Sequence, residues 1–294
     1  MSSHIRIGVA GWDFPSWQGV VYPNPAPRGF HPLDFLSRRV DMVEIASSFH
    51  QFVRPELSLL WLSKIERNPQ FQFTARLNRE FTHERNPDPE LLARFKAGMM
   101  PLQKAGRLGC LLMQFPNSFR FTPENKEFLI QLRRNLSEFP LAAELRHDSW
   151  TSPEGQGTLI DYHVGFVNLD QPAAHRATPA TSWLTTGIGY VKLHGRRCGA
   201  GFAAFDDRGI GEGGNDYLYN PAELADWKLR LERVSGFAEK TFVVFANNAG
   251  GKSLINALQM ESILGQGLST AVVQKNQRST HRERQPRLIE RSAA

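Results

Sequence analysis

The stretch VVFANNAGGKSLINAL, residues 243–258, admits two readings, and the choice between them decides the fold. Gly251, Lys252 and Ser253 fit the second half of a P-loop, but Ala246 stands where the first glycine belongs. A P-loop also sits in an open sheet with a metal-binding Asp on another strand. The alternative is that Val243 to Asn248 end a barrel strand and that the glycines turn the chain into the following helix.

The rest of the chain favours the barrel. Seven more short apolar or β-branched runs precede this one: IRIGVAGW (5–12), VDMVEIAS (40–47), FQFTARL (71–77), GCLLMQF (109–115), LAAELRH (141–147), HVGFVNLD (163–170) and GIGYVKLHG (187–195). Amphipathic segments lie between them, including PELSLLWLSKIERNP and PELLARFKAGMM. TPENKEFLIQLRRNL opens with Thr122 as a cap and Pro123 at the first helical position, and PAELADWKLRLERV starts on Pro221 in the same way. Alternating strand and helix units predict parallel strands, and eight of them predict a single-domain (β/α)8 TIM barrel, a fold of typically about 250 residues. The barrel is expected over residues 1–266, with 267–294 as a basic, disordered tail. In such barrels the loops after the seventh and eighth strands often bind phosphate, which makes Gly251 a candidate anion contact.

The formal charge of +6 suggests an acidic partner until the charges are located. Six Lys/Arg against two Glu fall after residue 274, so most of the excess sits in the tail and the body is nearly neutral. No basic segment followed by a long apolar run opens the chain, and no run of about 18 apolar residues occurs, so no membrane partner is expected. Cys110 and Cys198 do not form a disulfide framework, which fits a reducing cytoplasm. The pattern leaves the oligomeric state open.

Strand alternation names the candidate site. Val43 and Ile45 outward turn Glu44 into the barrel; Phe73 and Ala75 outward turn Arg76 in; Gln114 follows Met113 on the fourth strand. Leu145 outward places Glu144 and Arg146 inside, and Val191 and Leu193 do the same for Lys192 and His194. Asp170 ends the sixth strand, and Asn247 and Asn248 end the eighth. Because buried charges must be paired, so many ionisable groups at one mouth point to function. Glu44 with Arg76, or Glu144 with Arg146, would also serve as purely structural ion pairs. Aromatic residues crowd the same loops, among them Trp12, Trp150 and Tyr217, and flat rings suit sugar faces or unstacked bases. The Gly-rich stretch 195–220 is longer than a connector needs and is the candidate lid.

At this point the residues resemble a known family. GWDFPSWQGVVYP, VEIASSFHQF, FTARLNREFTH, LLMQFPNSF, AAELRHDSW, YVKLHGR, YNPAELADW and FANNAGGKSLINAL are together similar to the domain of unknown function 72 family, also called YecE-like. The resemblance runs from about Ile5 to Leu264. It implies a TIM barrel with a polar pocket at its C-terminal mouth and no established reaction. Among the positions that match its pattern are Trp12, Glu44, His83, Gln114, Glu144, Arg146, Trp150 and Asp170, followed by His194, Tyr217, Asn247 and Asn248. The chain departs from it at Ala46, where Asn is usual, at His50, where Tyr is usual, and at Arg76, where Lys is usual.

The expected function is a hydrolase or lyase acting on a phosphate- or sugar-containing substrate. Glu44, Glu144, Asp170 and His194 are its proton-transfer candidates, and Arg76, Arg146 and Lys192 clamp the anion. The alternatives are a nucleic-acid-binding barrel analogous to apurinic endonucleases and a non-catalytic small-ligand binder. No HxxxH or CxxC spacing marks a metal site, and no cofactor is expected.

Overall fold

Strand residues are buried on both faces and alternate between two apolar clusters, as the period-two pattern requires, and eight parallel strands close on themselves in sequence order. The computed structural model describes residues 5–173, 176–196 and 216–265. The strands are β1 (Ile5–Ala10), β2 (Met42–Ile45), β3 (Gln72–Arg76), β4 (Leu108–Gln114), β5 (Leu141–Glu144), β6 (Gly165–Asp170), β7 (Ile188–Leu193) and β8 (Lys240–Phe245). Closure comes from β1 pairing with β8, with Ile5 opposite Thr241 and Val9 opposite Phe245. The helices are α1 (Pro32–Ser37), α2 (Pro55–Lys64), α3 (Arg79–Thr82), α4 (Pro89–Lys104), α5 (Pro123–Asn135), α6 (Pro153–Asp161), α7 (Pro221–Ser235) and α8 (Lys252–Ile263).

Six of these helices open on proline, whose fixed φ suits the first helical position. Thr122 caps α5 by accepting from the Asn125 amide. Asn220 and Glu223 form a reciprocal capping box at α7. The strands that predict outward residues deliver them: Val43, Ile45, Phe73, Ala75, Val191 and Leu193 all join the apolar layer between sheet and helices. A second apolar cluster fills the barrel, with Met42, Cys110, Leu112, Val167, Tyr190, Phe242 and Val244 among its members. Gly109 is required there, because a Cβ would lie 2.2 Å from the Phe242 ring.

The strict alternation of strand and helix fails at one place. Between β6 and β7 no helix occurs among the described residues, and the reason is composition: Pro172, Pro179 and a run of threonines give no amphipathic period. Side chains supply what a helix would have satisfied internally. The Thr178 hydroxyl donates to the Leu145 carbonyl and Thr185 to that of Val164, while the Asn168 side chain accepts from the Trp183 amide and the Thr181 hydroxyl. No helix of the described residues is long and apolar enough to cross a membrane.

Candidate functional site

The inward positions near the C-terminal ends of β2, β3, β5 and β7 bring Glu44, Arg76, Glu144, Arg146, Lys192 and His194 together, all but fully buried. Lys192 is the hub. Its Nζ lies 2.9 Å from Glu144 Oε2 and 3.0 Å from Glu44 Oε1, and it donates to Gln114 Oε1 at 3.4 Å. Glu44 Oε1 also accepts from Arg76 Nε at 2.6 Å, and its Oε2 accepts from the Tyr190 hydroxyl at 2.8 Å. Tyr190 in turn accepts from Thr74 at 3.1 Å. On the other carboxylate, Glu144 Oε1 takes Arg146 Nε at 3.0 Å, Arg146 Nη2 at 2.9 Å and His194 Nε2 at 3.0 Å. Both ion pairs that the alternation suggested therefore form, and Lys192 joins them into one network.

The electrostatics follow from this packing. Burial pushes the Glu44 carboxyl up, but Lys192 and Arg76 more than reverse it and leave it at about 2. Glu144 is likewise held well below the usual carboxylate range, with Lys192, His194 and Arg146 outweighing its burial. Burial lowers Lys192, and so does the Arg76 charge, while the two carboxylates hold it up. Burial also takes His194 down to about 4 against the pull of Glu144, so its ring is neutral at physiological pH. Two carboxylates and three cations leave the cluster with one net positive charge. An ionised Glu144 can only accept, so the His194 proton sits on Nε2 and its lone pair on Nδ1.

Several expected site residues lie elsewhere. Asp170 does not enter the mouth: with Val167 and Leu169 inward, alternation turns it onto α7, where it accepts from Trp227 Nε1 at 2.6 Å and from Arg196 Nε at 3.0 Å. Trp150 is a core residue, fully buried and stacked on Phe119, with its Nε1 donating to the Phe119 carbonyl. Gly251 is a turn residue rather than an exposed anion contact. Its φ is 79°, its amide donates to the Asn248 carbonyl at 3.2 Å, and a Cβ would meet Val21 at 2.4 Å. Asn247 donates to Asn256 and to the Tyr217 carbonyl, tying β8 to α8, and Asn248 donates to the Ala10 carbonyl.

The aromatic and histidine candidates form a rim. Trp12 packs edge-on against Trp61 of α2 at 5.3 Å. His83 lies 5.0 Å from Phe49, which also meets His50 edge-on at 5.0 Å. Tyr217 donates to Glu223, which also holds Arg196. Sequence reading missed Tyr190, although it shares the inward parity of Lys192 and His194 and was open to discovery on that ground. Arg196 carries no signal in the sequence, because it lies beyond the end of β7 and meets Asp170 only through the fold. Among the described residues no group of three His, Cys, Asp or Glu could hold a metal ion. The candidate lid, Cys198 and the basic tail lie outside the described residues, apart from the two ends of the lid segment.

A family model described as "Protein of unknown function DUF72" matches residues 6–281. The chain belongs to that family. The UPF0759 protein YunF of Bacillus subtilis (strain 168) is 28% identical over 273 residues, which is 88% of this chain and 94% of that protein. A DUF72 family crystal structure from Thermotoga maritima MSB8 is 30% identical, with a TM-score of 0.76 over 89% of this chain and 99% of the other. One from Enterococcus faecalis V583, at 22% identity, has a TM-score of 0.75 over 89% and 95% of the two chains. The DUF72 fold and the single barrel are thus common ground, and the chemistry must be argued from the mouth.

Proposed function

We propose that this DUF72 protein is an enzyme, a hydrolase or lyase, acting on a small anionic substrate that contains phosphate or sugar. The observation that carries the reading is the buried cluster of three cations and two carboxylates around Lys192, with a neutral histidine oriented by one of the carboxylates. The net positive charge favours an anionic ligand and stabilises negative charge as it develops in a reaction. Glu144 fixes the His194 tautomer and would steady the imidazolium formed when Nδ1 takes a proton. Glu44 and Glu144 are held ionised and fully bonded, so they orient partners rather than donate protons. The Lys192 ammonium fills the gap between them, which disfavours a two-carboxylate glycosidase arrangement.

A thermal-shift screen of wild type and His194→Gln against sugar phosphates, free phosphate, divalent cations and abasic-site DNA tests this, followed by turnover assays on whatever binds. The expected result is stabilisation by a phosphate-bearing compound in both proteins, with turnover in wild type alone. Its kcat/KM should rise through about pH 4 and then stay flat, because the base has been taken down to about 4. Stabilisation by abasic-site DNA alone, falling steeply with salt, would favour the nucleic-acid alternative. Tight binding without turnover would favour the ligand-binding one. A cytoplasmic setting is part of the same proposal, supported by Cys110 as a buried free thiol, and recovery in a membrane-free cytosolic fraction checks it.

A further inference from the structure

The three cations of the cluster differ in how far their donors are engaged. Lys192 faces Glu44, Glu144 and Gln114, which accounts for its three N–H groups. Arg146 bonds Glu144 through Nε and Nη2. Arg76 bonds Glu44 through Nε alone, and among the described residues its two terminal nitrogens have no hydrogen-bond partner. The residue is only 4% exposed. Its terminal nitrogens are nonetheless absent from the fully buried polar atoms left without a partner, so they keep some access to solvent and are within reach of a ligand. Glu44 holds the Nε edge from within the barrel, and the Arg76 charge reaches outward far enough to help burial lower the pKa of His50.

We propose that the terminal nitrogens of Arg76 are the docking point for a ligand oxyanion, a carboxylate or phosphate group taken bidentately. The inference rests on the anionic-ligand half of the function proposed above and is independent of proton transfer. One negative charge on the ligand cancels the single positive charge of the cluster. The planar fork, with its Nε edge pinned by Glu44, sets the orientation in which the oxyanion lies, which a lysine at this position would not do.

The test uses the full chain labelled with ¹⁵N-arginine. Side-chain signals are followed by NMR during titration with inorganic phosphate, with acetate, and with sodium chloride at matched ionic strength. The Arg76 signals are identified by their absence from Arg76→Lys, which keeps the charge and a partner for Glu44. The expected result is a saturable shift of those signals with phosphate or acetate but not with chloride, the tighter of the two naming the oxyanion. Arg76→Lys, once shown to melt cooperatively, should bind that ion at least roughly tenfold more weakly by calorimetry. No saturable shift in wild type overturns the proposal, and so does binding by Arg76→Lys within about twofold of wild type. Anion binding at Arg76 in a protein without turnover would keep this inference and sink the enzyme reading. Turnover indifferent to Arg76→Lys would do the reverse.

Discussion

Replacing Glu144 by Gln is the sharpest test of the buried network. The carboxylate accepts four bonds: Arg146 Nε and Nη2 and His194 Nε2 on one oxygen, and Lys192 Nζ at 2.9 Å on the other. An amide of the same shape has one oxygen, so its NH2 must face either the ammonium or the Arg146 and His194 donors. The substitution also raises the net charge of the cluster by one in a site shielded from water. Breaking a buried pair in this way costs about 3–5 kcal/mol. At roughly 2–4 °C per kcal/mol for a large domain, the melting temperature at pH 7 should fall by about 6–20 °C in calorimetry. Adding Lys192→Met removes the cation that faces the amide and restores the charge count. The double variant should then be more stable than the sum of its singles by about 1–3 kcal/mol. If Glu144→Gln melts within about 2 °C of wild type, or if the two changes simply add, the carboxylate is not held as a buried ion and the electrostatic argument fails.

Other consequences are independent of ligand. His194 has a folded pKa near 4, below its ordinary 6.5, so the unfolded chain takes up the proton first as pH falls. The stability it contributes is complete above pH 6.5 and is lost on the way down to pH 4, by up to about 3 kcal/mol; denaturant melts across that range should show the slope in wild type and lack it in His194→Gln. Gly251→Ala meets both a left-handed backbone and Val21, so it should destabilise by about 1–3 kcal/mol, with part recovered by Val21→Ala; equal melting curves would mean that the turn is not packed as described. Asp170→Asn weakens the grip on Trp227 and Arg196, and should cost about 1–3 kcal/mol of unfolding free energy while leaving phosphate affinity unchanged. A loss of affinity beyond threefold would restore Asp170 to the mouth.

The sequence by itself determined the barrel and most of the network. Period-two alternation needs only the residues on either side, so Val43 and Ile45 are enough to turn Glu44 inward, and Val191 and Leu193 do the same for Lys192 and His194. The same rule, applied from Val167 and Leu169, would have put Asp170 on the helix side; its place at the end of a strand was read as chemistry instead. Only the closed barrel decided the rest. Lys192 meets Glu44 across 148 positions of chain and Glu144 across 48, and it was closure that set the ammonium between them and took both carboxylates out of water. Trp150 and Gly251 needed the fold for a related reason: one packs on Phe119 and the other against Val21, and neither contact is written in the local pattern. Local periodicity fixes which face a side chain occupies, whereas its charge state and partners depend on what other strands bring to that face, a long-range property that no single stretch of chain encodes.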